Sequence, residues 1–138
     1  MSMRLITGLV GMTLLLVVLW DAFETIILPR RISGRFRLTR AFYRLTWRPW
    51  RATAGLLIGR RREAFLGFYG PLSLLGLLGL WAVGILTAFG ILQWSAGSAL
   101  AVVGGVSGFG SDLYLSGTTF FTLGLGDVVP RTTLAKTL

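Results

Sequence analysis

From Ala64 to Ser111 the chain holds no Asp, Glu, Lys or Arg. A soluble fold must place charge on the exposed side of each element, so an uncharged stretch of this length dictates a lipid environment. The whole chain agrees. Of its 138 residues 54% are hydrophobic and 14% charged, against roughly a quarter charged in soluble domains. It contains no Cys and no His, which removes disulfides, thiol catalysis, Ser/His/Asp triads, histidine-based zinc sites and a histidine pH switch. No acid pair, metal cluster or nucleophile constellation points to an enzyme, and no cofactor is implied.

A net charge of +9 first suggests a nucleic-acid partner. Position argues otherwise, because eleven of the fourteen basic residues are arginines between Arg30 and Arg62, directly between two apolar spans. The positive-inside rule puts such a loop in the cytoplasm. No nucleic acid is therefore expected as a partner.

The first span is expected from Leu5 to about Leu28, where Pro29 ends it. About 24 residues give about 36 Å of helix, enough to cross a core of about 30 Å with some tilt. A signal peptide is the rival reading. Trp20-Asp21-Ala22-Phe23 offers no small-x-small cleavage site, and cleavage would send the arginine loop outside against its charge. A retained helix with its N-terminus outside is preferred. Asp21 and Glu24 share one face near its inner end; the reading preferred is pairing with arginines of the next segment, the alternative an ion or proton path.

Residues 29–63 are basic and amphipathic. Arg37, Arg40, Arg44, Arg48 and Arg51 step by three or four, one stripe on a helix. With Phe42, Leu45, Trp47 and Trp50 beside them, they suit a helix lying on the anionic inner leaflet and touching lipid headgroups. A voltage sensor would need arginines inside an apolar spanning helix, and this segment is too polar to span. Pro49 is expected to break the helix.

The second span is expected over residues 65–92. Gly76, Gly79, Gly84 and Gly90 offer close helix contacts, Pro71 a tolerated kink, and Trp81 is too central to be an interface anchor and is expected to face protein. Residues 93–112 are Gly-, Ser- and Ala-rich with an apolar middle at Leu100–Val103, a short extracellular loop by the charge-derived topology.

The informative run is Asp112 to Pro130. An acid opens it, a helix too short to span follows, and then comes Thr122-Leu123-Gly124-Leu125-Gly126-Asp127. Backbone at membrane depth must be buried in protein or line a water-filled path. A short re-entrant helix followed by an extended Gly-x-Gly strand meets that condition if several copies face one another. Their carbonyls then replace a cation's water shell, and the helix aims its negative C-terminal end at the same place. A phosphate cradle is the competing use of Gly-x-Gly, but no Gly-Lys-Ser/Thr follows and no strand precedes.

Thr-Leu-Gly-Leu-Gly-Asp resembles the Thr-Val-Gly-Tyr-Gly-Asp signature of the potassium-channel pore-loop family. The resemblance covers about twenty residues, back through polar positions Ser116, Thr118 and Thr119 and forward to Pro130. It implies an all-α membrane protein of two transmembrane helices, the basic interfacial segment, and a re-entrant pore helix with a selectivity-filter loop. It divides the chain into a transmembrane helix at 1–28, a cytoplasmic segment at 29–63 and a pore domain at 64–138. Within the pore domain fall the outer helix 65–92, loop 93–112, pore helix 113–121 and filter 122–127. Residues 131–138 resemble the lead-in to an inner helix, with the chain stopping before that helix.

By the same resemblance, potassium is the permeant ion, held by the hydroxyl and carbonyl of Thr122 and the carbonyls of Leu123, Gly124 and Leu125. Asp127 sits at the outer mouth, and four chains assemble in a membrane, the bacterial inner membrane among the family's settings. Leu125 replaces the usual Tyr, removing a hydroxyl that ties filter to pore helix and leaving a weakly selective cation channel as an alternative. Phe120 and Phe121 are bulkier than the family's small residues and are expected to pack the filter's back. A non-conducting membrane sensor with a pore-like loop is the other alternative.

Overall fold

The computed structural model of the chain describes residues 2–27, 38–97, 100–102 and 108–130. Arg37 of the expected stripe and the expected lead-in at 131–138 lie outside them. The elements run α1 (Ser2–Ile27), α2 (Leu38–Ala54), α3 (Arg60–Ser95), β1 (Leu100–Val102), α4 (Phe109–Phe120) and β2 (Val128–Pro130). The fold is that of an all-α membrane protein, with two three-residue strands as its only described β-structure.

Two helices are long and apolar enough to cross a membrane, Met3–Ile27 and Arg60–Ser95. Under a quarter of either apolar window is buried within the chain, so most of their Leu, Ile and Val side chains are not buried within it. That is unlike the core helix of a soluble protein and suits lipid. At 36 residues, α3 is about 54 Å long, well beyond a hydrocarbon core of about 30 Å.

The chain divides into two compact units, one of Met1–Leu19 with Ala82–Leu138, the other of Trp20–Trp81. In the first, Val18 and Ala88 are buried, and small residues bring the helices together. A methyl at Gly84 would stand 2.8 Å from Val18 Cγ2, and one at Gly90 3.3 Å from Leu113 Cα. Gly84 therefore lets α1 approach α3, and Gly90 lets α4 approach α3. Trp94 and Phe109 meet edge to face at 6.1 Å.

The expected loop at Leu100–Val103 is partly a strand. β1 pairs antiparallel with β2, Leu100 opposite Pro130, Ala101 opposite Val129 and Val102 opposite Val128. Neither segment has the alternating pattern that announces a strand; each finds its ladder only because the chain returns from α4 beside it.

In the second unit, Asp21 of α1 is buried, and its described partners are uncharged. Its carboxylate accepts from the backbone N–H of Thr39 at 3.2 Å, from Thr39 Oγ1 at 2.7 Å and from Trp81 Nε1 at 3.0 Å. The expected pairing with arginines is thus corrected for Asp21: an anion seated at the first turn of α2 is already favoured by the unsatisfied N–H groups there. Trp81 faces protein, as expected.

Pro49 does not break α2, which runs unbroken from Leu38 to Ala54. Proline removes one hydrogen bond, its own N–H to Leu45, and the turn after it is held from outside the helix. Trp50 stacks on Phe65 at 4.2 Å with planes 9° apart and donates from Nε1 to the Phe65 carbonyl at 3.2 Å, while Ala54 is buried. Farther along, a methyl at Gly76 would stand 2.8 Å from Phe42 Cζ, so glycine there seats the α2 ring. Gly79, expected to make a similar contact, has nothing within 4 Å of a methyl built there among the described residues.

Candidate pore-loop site

α4 begins four residues earlier than expected, at Phe109. Gly108 is its N-cap in extended backbone, and Asp112 sits buried in the first turn, where an acid complements the positive end of the helix. At 12 residues the helix is about 18 Å long, too short to span. The Ser116 hydroxyl donates to the Asp112 carbonyl at 2.9 Å and that of Thr118 to the Leu115 carbonyl at 3.0 Å. Both are buried and spend their hydroxyls on the helix itself. Thr119 and Phe120 line a cavity of about 140 Å³ together with Leu86, Phe89 and Leu115.

The helix ends in a double-bonded reversal. Thr122 N–H donates to the Thr119 carbonyl at 3.0 Å and Leu123 N–H to the Thr118 carbonyl at 2.8 Å, the pair of bonds that closes a Schellman motif. The left-handed position of that motif usually belongs to glycine. Here Thr122 occupies it at φ 56°. A β-branched residue in this region is an outlier costing roughly 1–2 kcal/mol, and such strain collects at functional sites.

Beyond it the backbone alternates. Thr122, Gly124 and Gly126 have φ of 56°, 51° and 73°, while Leu123 and Leu125 between them do not take positive φ. A positive φ at every second residue takes the backbone out of the extended conformation of a strand, which glycine at two of the three positions permits. The segment is open: Leu123 and Leu125 are each 62% exposed, and among the described residues beyond the chain neighbours none comes within 4 Å of a methyl built at Gly124 or Gly126. Phe120 and Phe121 are exposed and meet each other edge to face at 5.3 Å.

Asp127 follows the second glycine, and its Oδ2 accepts from Tyr114 Oη at 2.9 Å. That carboxylate, as acceptor and as nearby charge, pushes the Tyr114 hydroxyl above its ordinary value. Tyr114 was not among the expected site residues. A tyrosine one turn into the short helix was the available signal, but its reach to Asp127 depends on how the chain folds back. Val128 is buried and opens β2, so the open segment is bracketed by the α4 reversal on one side and a strand ladder on the other. The structure thus brings Thr122 to Asp127 together with Ser116–Phe121 at one helix end. Arg40, Arg44, Arg48 and Arg51 belong to the other unit.

The site is thus a helix too short to span, packed on a spanning helix and followed by an exposed Gly-x-Gly segment. Residues 80–138 match the model of an ion-channel family. The match takes in less than half of the chain and contains α4, the reversal and the whole open segment. No curated protein and no solved structure is significantly similar to the chain. Its two long apolar helices make it an integral membrane protein, and its residues 80–138 are similar to ion channels.

Proposed function

We propose that the chain is a subunit of a potassium-preferring channel in which four copies face their Thr122–Asp127 segments to a common axis. The observation that carries this reading is the positive φ at Thr122, Gly124 and Gly126 in a segment whose Leu123 and Leu125 are exposed. Aligned carbonyls of Thr122, Leu123, Gly124 and Leu125 from four chains then stand in for the hydration shell of potassium. The C-terminal end of α4 adds a partial negative charge behind them. Asp127 at the far end concentrates cations. Charge bias orients the chain with its N-terminus outside and residues 29–63 in the cytoplasm, so that the loop enters from outside, with α2 against the inner leaflet. No step is catalytic, and potassium is the cargo.

Potassium flux from liposomes tests the proposal. Gly124→Val and Gly126→Val place a β-branched side chain where φ is positive, which should abolish flux while membrane insertion and helicity persist. Undiminished flux in either variant would overturn the filter assignment. Leu125, lacking a hydroxyl, favours a second reading of weak cation selectivity; equal potassium and sodium permeability in the wild type would select it. A protein that inserts and assembles but passes no ion would be a sensor with a pore-like loop.

A further inference from the structure

Helix α2 has three faces. Thr39, Phe42, Tyr43, Thr46 and Trp50 are partly covered and make its contacts within its own unit. A second face carries Arg40, Arg44, Arg48 and Arg51, all exposed, and the helix has no acidic residue. On a 3.6-residue period Ala41, Leu45 and Ala52 fall about a quarter-turn away from these arginines, and all three are exposed, Leu45 by 72%. Beside the arginine face therefore lies a small apolar face of one leucine and two alanines. At a membrane boundary the apolar face enters the acyl region and the arginines stay at phosphate level. Trp47, 41% exposed, stands between the arginine and packing faces, where an amphipathic ring suits the headgroup zone.

The orientation of α2 is held by contacts that do not use the arginines. Asp21 seats its N-terminal turn through Thr39, Phe42 fills the space over Gly76, and Trp50 stacks on Phe65. The guanidinium groups are thereby presented in one row without having to order the helix themselves, which lowers the entropy lost on binding. Planar guanidinium is also the donor that matches phosphate oxygens in pairs.

We propose that the Arg40, Arg44, Arg48 and Arg51 face of α2 is a docking surface for the phosphates of anionic phospholipid headgroups, seated with Leu45 in the acyl boundary. The surface lies outside the residues that match the channel family. The proposal rests on α1 and α3 spanning a membrane and not on ion conduction.

The test uses the full chain in neutral detergent, titrated with dioleoylphosphatidylglycerol or dioleoylphosphatidylcholine and read by native mass spectrometry. Phosphatidylglycerol should be retained in preference to phosphatidylcholine. Replacing all four arginines by Gln should weaken that retention by about several hundredfold, from about fivefold per arginine near an anionic surface. The four-lysine variant should keep most of it, because the charge remains. Equal retention of the two lipids, or unchanged retention in the folded glutamine variant, would overturn the proposal. Displacement of the lipid by glycerol phosphate at equal concentration would assign free phosphate instead, and displacement by RNA or an acidic peptide at equal charge would assign a soluble partner; either overturns it. If the fourfold glutamine variant does not fold, R44Q and R48Q singly carry the comparison, where a stepwise loss is expected and a flat series refutes. Gly124→Val should lose flux and keep lipid retention, which separates this proposal from the filter assignment.

Discussion

Tyr114 and Asp127 are joined at 2.9 Å, the phenol of α4 donating to the carboxylate that closes the Gly-x-Gly segment. This tie runs from helix to loop in place of the hydroxyl that Leu125 does not supply.

Tyr114→Phe removes that donor and keeps the ring. Both side chains are exposed, so global stability should change little. The potassium-to-sodium permeability ratio should fall, by reversal potential in planar bilayers. The tie is present while Tyr114 keeps its proton and is lost as pH rises through its raised value. Selectivity should therefore be flat from pH 7 to 9 and decline only in stronger alkali.

Thr122 sits where a Schellman motif prefers glycine. Thr122→Gly should raise the thermal midpoint of the detergent-solubilised protein, through relief of roughly 1–2 kcal/mol of backbone strain. Ion preference should fall at the same time, because the hydroxyl is gone. A rise in stability with selectivity unchanged would mean that the strain serves no part of conduction.

Asp21 holds two donors of Thr39 and one of Trp81. Asp21→Ala leaves these without a buried acceptor and should cost about 2–4 kcal/mol, from roughly 1–3 kcal/mol per stranded group less relaxation. Trp81→Phe should cost about 1–2 kcal/mol, and the double variant less than the sum. Thermal unfolding followed by tryptophan fluorescence and circular dichroism reads all three.

Gly84 and Gly79 look alike in sequence and differ in space. A methyl at Gly84 meets Val18 at 2.8 Å, while one at Gly79 meets nothing among the described residues. Gly84→Leu should lower the thermal midpoint and disturb the α1–α3 contact. Gly79→Ala should be neutral or stabilising by up to about 1 kcal/mol, the helix-propensity difference.

Several of these relationships could be read in advance. The charge-free run announced a spanning helix, the three-and-four spacing of the arginines announced α2, and Thr122–Asp127 announced the loop with its glycines. The two elements misjudged were Pro49, through which α2 continues because Trp50 is anchored on Phe65, and Leu100–Val103, three of whose residues form β1. In both, a partner distant in sequence overrides a local preference.

By itself the sequence determined which segments leave water and which end in a glycine loop, because hydrophobicity, charge and backbone freedom act over a few residues and leave a periodic mark. Only the tertiary structure decided the partners. Asp21 meets Trp81 sixty residues away, β1 meets β2, Tyr114 meets Asp127, and Thr122 is forced left-handed by the reversal after α4. Such pairings depend on which helix faces come together once water is excluded, a condition of the whole chain that no local window of residues contains.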